Sequence, residues 1–176
     1  MPKSESSKSR GLAIRFKKNA DGRSSLSCTR SDGSTTWQTL DGQQAAFFPR
    51  HDLTHYAVET VLGHKQGFYG LLAAGWDISD FGKPEARRKI PADAVLAEMT
   101  VGLLDLERAT GERVRASDLN TRLREWCAEN GLSEPAEISE EDMARIRKRR
   151  AELFSSWEAV APGEVLELSF ETAPSP

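Results

Sequence analysis

The sequence has few cysteines, few histidines and no excess of positive charge. Its two cysteines, Cys28 and Cys127, lie far apart and form no CxxC pair. This pattern is typical of reduced thiols, so we expect a cytoplasmic protein without a disulfide. The 24 Lys and Arg residues are outnumbered by 27 Asp and Glu residues, which gives a net charge of -3. Without an overall positive field, nucleic acid is not an expected partner.

Long apolar runs and several common functional motifs are also missing. No apolar run approaches the roughly 20 residues that cross a bilayer, so we expect no membrane association. Residues 1–10, MPKSESSKSR, lack the apolar centre of a secretory signal and predict a disordered tail. A Walker loop, a GxGxxG fingerprint and a GxSxG elbow are absent, which disfavours nucleotide-binding and serine-hydrolase functions. The sequence leaves a protein partner or a homo-oligomer open.

Residues 11–172 predict a single α+β domain. Apolar and polar residues alternate over 11–17, around Leu26 and Cys28, and over 35–40, and Asp-Gly pairs mark turns after these segments. The same alternation returns at 165–170. We expect a mainly antiparallel sheet of about four strands, in which the last strand pairs with the N-terminal meander.

About five helices are expected to pack on this sheet. Their predicted ranges are 51–62, 68–74, 92–110, 117–130 and 139–157, and residues 79–91 predict a surface connection or flap. In the 92–110 helix we expect one apolar face that leaves Glu98 and Asp105 in solvent and consists of Val95, Leu96, Met99, Leu103 and Leu106. Phe68, Tyr69 and Trp76 are candidates for a ligand pocket, although core packing explains them as well.

All three histidines fall in one segment, FFPRHDLTHYAVETVLGH. On a helix that begins at His51, the side chains of His51, His55 and Glu59 share one side, and Asp52 borders them. Two imidazoles four residues apart can bind one cation, and a helix N-terminus would keep His51 neutral. These residues predict a site for one divalent metal ion, zinc or iron, with His51, His55 and Glu59 as ligands.

The string HDLTH resembles the HExxH helix of zincin metalloproteases, in which both histidines bind zinc and the acid between them activates water. The resemblance covers five residues and implies Asp52 as the catalytic base, although Asp52 stands where the family has glutamate. His64 follows the helix end at Gly63 and lies about 13 Å along the axis from His55, too far for a shared ion. The third ligand is then Glu59 or a carboxylate from another element.

The sequence alone leaves three functions open. The first is a small metal-dependent hydrolase. The second is a non-catalytic interaction or structural protein, in which the histidines and acids form a buried polar network. Metal-free acid/base chemistry at the same residues is a further alternative. The basic run RIRKRR at 145–150 is typical of a solvated helix face, and a nucleic-acid patch is the weaker interpretation.

Overall fold

A computed structural model describes residues 10–172 and contains a four-stranded antiparallel sheet with the strand order β3-β2-β1-β4. The strands are β1 (Arg10–Lys18), β2 (Ser24–Arg30), β3 (Thr35–Leu40) and β4 (Val165–Thr172). β1 and β4 pair in a register that sets Leu12 opposite Phe170. The predicted α+β class and the pairing of the last strand with the meander are confirmed. Of residues 1–10, expected as a tail, residues 1–9 lie outside the described residues, and Arg10 is instead the first residue of β1.

One face of the sheet is apolar because side chains alternate across a strand. Leu12, Ile14 and Phe16 of β1 are buried, as are Leu26 and Cys28 of β2. The sequence alternation predicted this face. The helices pack against it, and together they enclose one apolar core.

Six α-helices and one short 3-10 helix are described between β3 and β4. They are α1 (Gly42–Leu62), α2 (Phe68–Ala73), the 3-10 helix (Ile78–Gly82), α3 (Pro84–Arg87), α4 (Ala92–Thr110), α5 (Ala116–Glu129) and α6 (Glu140–Ala159). Within residues 10–172, none of these helices has the length and apolar content needed to cross a membrane. The segment 79–91, expected as a surface connection, contains the end of the 3-10 helix and all of α3.

α1 begins nine residues earlier than the predicted start at His51. Its first residue is Gly42, and Pro49 is inside the helix. A proline interrupts only one backbone hydrogen bond of the preceding turn, and the QQAA sequence before it favours helix enough to continue through it. His51 therefore lies in the middle of α1, and the expected effect of a helix N-terminus on its charge does not apply. The predicted end is correct, because Gly63 caps the helix in the left-handed conformation.

α1 is the central helix of the fold. Every residue from 52 to 59 is buried, and α1 packs against α4, α6 and the sheet. The hydroxyl of Tyr56 donates to the backbone carbonyl of Ser169 in β4 at 2.7 Å. The hydroxyl of Tyr69 in α2 donates to the carbonyl of Asp52 at 3.0 Å. Polar groups on this helix are consequently held in a mostly water-free interior.

α4 is rotated relative to the sequence prediction. Leu106, expected in the core, is 52% exposed, whereas Ala97, Val101 and Leu104 are buried. The buried residues lie on a side of the helix next to the predicted apolar side. Because α4 contacts both α1 and α5, its buried surface is wider than a single stripe. The prediction that Asp105 lies in solvent is wrong, since Asp105 is 8% exposed and faces α1.

Two arginines of the basic run 145–150 in α6 are largely shielded from solvent. Arg147 and Arg150 both contact the buried carboxylate of Glu107 in α4, at 2.7 and 3.1 Å. Burial works against the charged form of Glu107, but hydrogen bonds from Arg147 and from the backbone N–H of Val114 outweigh it and lower the pKa of Glu107. This cluster links α4 to α6 and to the segment before α5.

Candidate metal centre

His51 and His55 lie one turn apart on α1, and a carboxylate from α4 approaches both. The ring centroids of the two histidines are 4.9 Å apart. Oε2 of Glu98 lies 2.9 Å from Nε2 of His55 and 4.0 Å from Nε2 of His51. One ligand atom from each of these residues lies within 4.8 Å of the other two. His51, His55 and Glu98 form what we call the three-residue cluster.

The other nitrogen of each ring faces a buried carboxylate. Nδ1 of His51 lies 2.7 Å from Oδ2 of Asp105. Nδ1 of His55 lies 3.3 Å from Oε1 of Glu59, but the two groups are not aligned for a hydrogen bond, and Nδ1 is a buried nitrogen without one. Their charges still attract at this distance. Both imidazoles thus have Nε2 on the side of Glu98 and Nδ1 on the side of a second acid.

Glu59 is held by the first turn of α2. Its Oε1 accepts a hydrogen bond from the backbone N–H of Phe68 at 2.7 Å, and its Oε2 accepts one from Tyr69 at 3.0 Å. A Cβ on Gly67 would lie 2.4 Å from the carboxyl carbon of Glu59, so only glycine leaves room for this approach. The structure places Glu59 beside His55, on the side opposite Glu98. In this geometry Glu59 lies at Nδ1 of His55, and Glu98, from another element, lies at Nε2.

The charge on His55 depends on the acids around it. Burial disfavours the charged imidazolium, but the carboxylates of Glu59 and Glu98 outweigh this effect and raise the pKa of His55 to about 10. In return, the hydrogen bond from His55 lowers the pKa of Glu98 despite partial burial. His55 is a cation in the metal-free protein at neutral pH, and a metal ion at this position would have to replace its proton.

Asp52, the predicted base, lies next to the cluster but faces the sheet. Its carboxylate borders a small cavity together with Phe16, Leu26 and Phe48, and it makes no side-chain hydrogen bond with the residues that the structure describes. Burial raises the pKa of Asp52 to about 6, and the charges of the two neighbouring histidines reduce this rise. A carboxyl group of this kind changes its charge near neutral pH.

A larger cavity of about 630 Å³ opens beside the cluster. His55 and Glu98 form part of its wall, so two of the three residues face the same space. Most of the remaining wall is apolar and includes Phe68, one of the three candidates for a ligand pocket. Tyr69 is fully buried in the core instead, and Trp76 lies at a separate surface depression. A ligand in this cavity would contact the cluster directly.

Comparisons with protein-family models, with curated proteins and with solved structures found no match for this chain. The cluster is therefore interpreted from its own geometry.

Glu98 and Asp105 contact the histidines although the sequence did not predict either as a member of the site. Both were assigned to a solvated face, because α4 was expected to have a single apolar side. The available signal was their spacing. Two acids seven residues apart lie two turns apart on one side of a helix, and can face two histidines that are one turn apart. His64, excluded by its position, also lies outside the cluster in the structure.

Proposed function

We propose that this protein binds one divalent metal ion, zinc or iron, through His51, His55 and Glu98, and that the metal supports hydrolysis. The orientation of the two imidazoles carries the proposal. Each ring has Nε2 toward Glu98 and Nδ1 toward a buried carboxylate of Asp105 or Glu59. Histidine ligands in proteins usually direct their second ring nitrogen to such an acceptor, which fixes the ring and strengthens the ligand.

The separations between the ligand atoms also support a metal ion. In a tetrahedral zinc site with bonds of about 2.1 Å, neighbouring ligand atoms are about 3.4 Å apart. The distances from Glu98 to His55 and His51, 2.9 and 4.0 Å, lie on either side of that value. Small side-chain movements would equalise them.

Three protein ligands are typical of a catalytic zinc site, because the fourth position then holds water. Zinc lowers the pKa of bound water to about 7, which makes it a nucleophile at neutral pH. The cavity at His55 and Glu98 gives a substrate access to this position. A hydrolase is therefore the enzyme class that the site supports best.

The role of Asp52 as general base stays a prediction. Its carboxylate lies within electrostatic reach of both histidines, but it borders the small cavity against the sheet. If Asp52 is the base, Asp52→Asn should keep zinc affinity within about threefold and reduce zinc-dependent hydrolysis of 4-nitrophenyl acetate by about 100-fold or more. Equal hydrolysis by the variant and the wild type would remove Asp52 from the mechanism.

Metal binding is tested with untagged protein by elemental analysis and by titration calorimetry with zinc. We expect one zinc ion per chain for the wild type, and none for the His51→Ala/His55→Ala double variant. Glu98→Gln should weaken zinc binding by about 100-fold, since it removes a charged ligand from the set. His64→Ala is the matched control, because it removes the third histidine, which lies outside the cluster.

The metal proposal fails if the wild type binds no zinc or iron, or binds as much as the double variant does. A second function is then favoured by a specific observation. His55 already lies between Glu59 and Glu98, so a protonated imidazole could serve as the centre of a buried polar network in a non-catalytic protein. In that case His55→Ala lowers the melting temperature by several degrees, while zinc and chelator leave the wild type unchanged.

We also propose a cytoplasmic location, on the basis of the cysteines. Cys28 and Cys127 are both buried and free. Burial, and to a lesser extent the charge of Asp52, raise the pKa of Cys28 to about 12, so this thiol stays protonated and unreactive. Buried thiols of this kind are typical of proteins in a reducing compartment.

A further inference from the structure

We infer that the cavity beside the cluster binds a small organic acid with an apolar body, and that the anionic group of this ligand contacts Arg87. The inference names the substrate class of the metal site, and in that respect it rests on the proposed function. Binding of the acid itself requires only the cavity and Arg87, so it can be measured with or without metal.

The apolar body is inferred from the walls of the cavity. The apolar walls are formed by α1, α2, the 3-10 helix, α4 and the segment before α4. Their large apolar side chains in the cavity are Phe48, Phe68, Phe81, Ile90, Val95 and Met99. Three of these are aromatic, and Phe68 and Phe81 lie with their ring centroids 5.0 Å apart. A volume of about 630 Å³ is within the range of about 300–1,000 Å³ that is usual for small-molecule sites. A mainly polar ligand would lose its hydration here without gaining partners.

The anionic group is inferred from Arg87. It is the one lysine or arginine among the cavity-lining residues that the structure describes. Its Nε donates to the backbone carbonyl of Phe81 at 3.2 Å, which holds the guanidinium at the cavity wall. The two terminal nitrogens make no hydrogen bond with any residue in 10–172. Arginine presents such paired nitrogens in the geometry that a carboxylate accepts.

The charge around Arg87 supports the same ligand. Arg87, Arg88 and Lys89 are consecutive and all exposed, whereas the nearby cation Lys83 is already paired with Asp80 at 2.7 Å. The cavity wall also carries the carboxylate of Glu98 and the protonated imidazole of His55, which contact each other and so offset each other's charge. Residues 87–89 thus carry three consecutive positive charges, which attract an anion to this end of the cavity while its apolar part enters between the aromatic rings.

The test uses 4-phenylbutanoate and its neutral analogue 4-phenylbutan-1-ol, which share one carbon skeleton. Their affinities are measured by titration calorimetry and by ligand-observed NMR, first on chelator-treated protein and then on protein with added zinc. We expect the acid to bind at least about fivefold more tightly than the alcohol in the chelator-treated protein, because a charge-assisted hydrogen bond is gained. Arg87→Gln should abolish this preference.

Two matched controls separate local contact from general effects. Arg88→Gln removes the same charge from an exposed neighbour that does not line the cavity, and should keep the preference for the acid. Val95→Trp should fill the cavity and remove binding of both compounds, whereas Leu106→Trp, on an exposed position of the same helix, should not. Circular dichroism and melting temperature establish that each variant is folded. If Val95→Trp does not fold, the Arg87 and Arg88 pair still decides the question.

The inference is overturned if neither compound binds, if the alcohol binds as tightly as the acid, or if Arg87→Gln and Arg88→Gln behave alike. These outcomes leave zinc binding by the wild type untouched. Conversely, a wild type that binds the acid but no zinc retains the ligand site and loses only the metal. A preference for the acid that appears only after zinc is added, and that survives in Arg87→Gln, would assign the anion to the metal and contradict the role of Arg87.

Discussion

Nε2 of His55 lies 2.9 Å from Oε2 of Glu98, an acid 43 residues further along the chain. This contact joins the central helix α1 to α4, and it is located in the wall of the apolar cavity of about 630 Å³. His55 is 4% exposed, whereas the side chain of Glu98 is 59% exposed. The pair therefore connects the protein interior with the space that a ligand can enter.

Asp105→Asn is expected to weaken zinc binding by about 10- to 100-fold without removing a metal ligand. Asp105 accepts from Nδ1 of His51 at 2.7 Å, and a neutral amide would hold the ring less firmly. Titration calorimetry at constant pH measures the change. Asp93→Asn, which neutralises an exposed acid in the first turn of the same helix, is the control. If both variants lose the same zinc affinity, the effect comes from the overall negative charge and not from the contact between Asp105 and His51.

Zinc binding is expected to release one proton from His55. Because the pKa of His55 is raised to about 10, the imidazole is protonated at neutral pH and must lose its proton to bind a metal. Zinc affinity should thus rise about tenfold per pH unit between pH 6 and 8. Titration calorimetry in two buffers of different ionisation enthalpy counts the protons. A count of zero would mean that zinc does not bind at His55.

The same pKa predicts how the metal-free fold depends on pH. A folded-state pKa above the ordinary histidine value means that the charged imidazole stabilises the fold. This contribution is fully present below about pH 6.5, and is lost as the pH rises through about 10. Urea denaturation of chelator-treated protein from pH 6 to 10 should show falling stability for the wild type and a weaker fall for His55→Gln. Parallel pH profiles for the two proteins would exclude this role of His55.

Gly67→Ala is expected to destabilise the fold by about 1 to 3 kcal/mol, since it forces the buried carboxylate of Glu59 from its hydrogen bonds. The added Cβ would lie 2.4 Å from the carboxyl carbon of Glu59, which accepts from Phe68 and Tyr69. Gly102→Ala is the control, because its Cβ meets nothing within 4 Å. This exposed helix position should gain up to about 1 kcal/mol. Denaturant titration compares the two, and equal stabilities would show that Glu59 can move freely.

Glu107→Gln is expected to cost about 3 kcal/mol, because it leaves the nearly buried cations Arg147 and Arg150 without their partner. The lowered pKa of Glu107 means that its contribution is present above the ordinary glutamate value and is lost as the pH falls through the folded-state value. The wild type should therefore lose more stability than Glu107→Gln below about pH 4.3. Glu125→Gln, at an exposed position of α5, should match the wild type. Thermal denaturation from pH 3 to 7 checks both statements.

Much of the fold was predictable because its signals are local. The alternation of Leu12, Ile14 and Phe16 identifies the inner face of β1, and the left-handed Gly63 ends α1 where the sequence places the stop. At the predicted start of α6, Ser139 and Asp142 cap the helix reciprocally. Each of these features depends on residues within one or two turns of each other, so a single segment determines it.

The errors arose where neighbouring elements decide the outcome. The first helix was predicted to begin at His51, yet it begins at Gly42 and continues through Pro49, because packing of α1 against the sheet and two helices compensates for one missing hydrogen bond. The buried side of α4 was misplaced for a similar reason. Asp105 is polar, but its contact with His51 gives it a partner in the interior that local periodicity does not reveal.

The sequence by itself determined the four strands, the antiparallel sheet and the two histidines that share one side of a helix, because their periodicity and spacing are properties of the local chain. Only the tertiary structure decided which acids meet those histidines. Glu98 and Asp105 reach them from α4, and Glu59 is fixed by the N–H groups of α2. These contacts depend on how helices dock and rotate against each other, which is set by the packing of the whole core and by the pairing of buried charges.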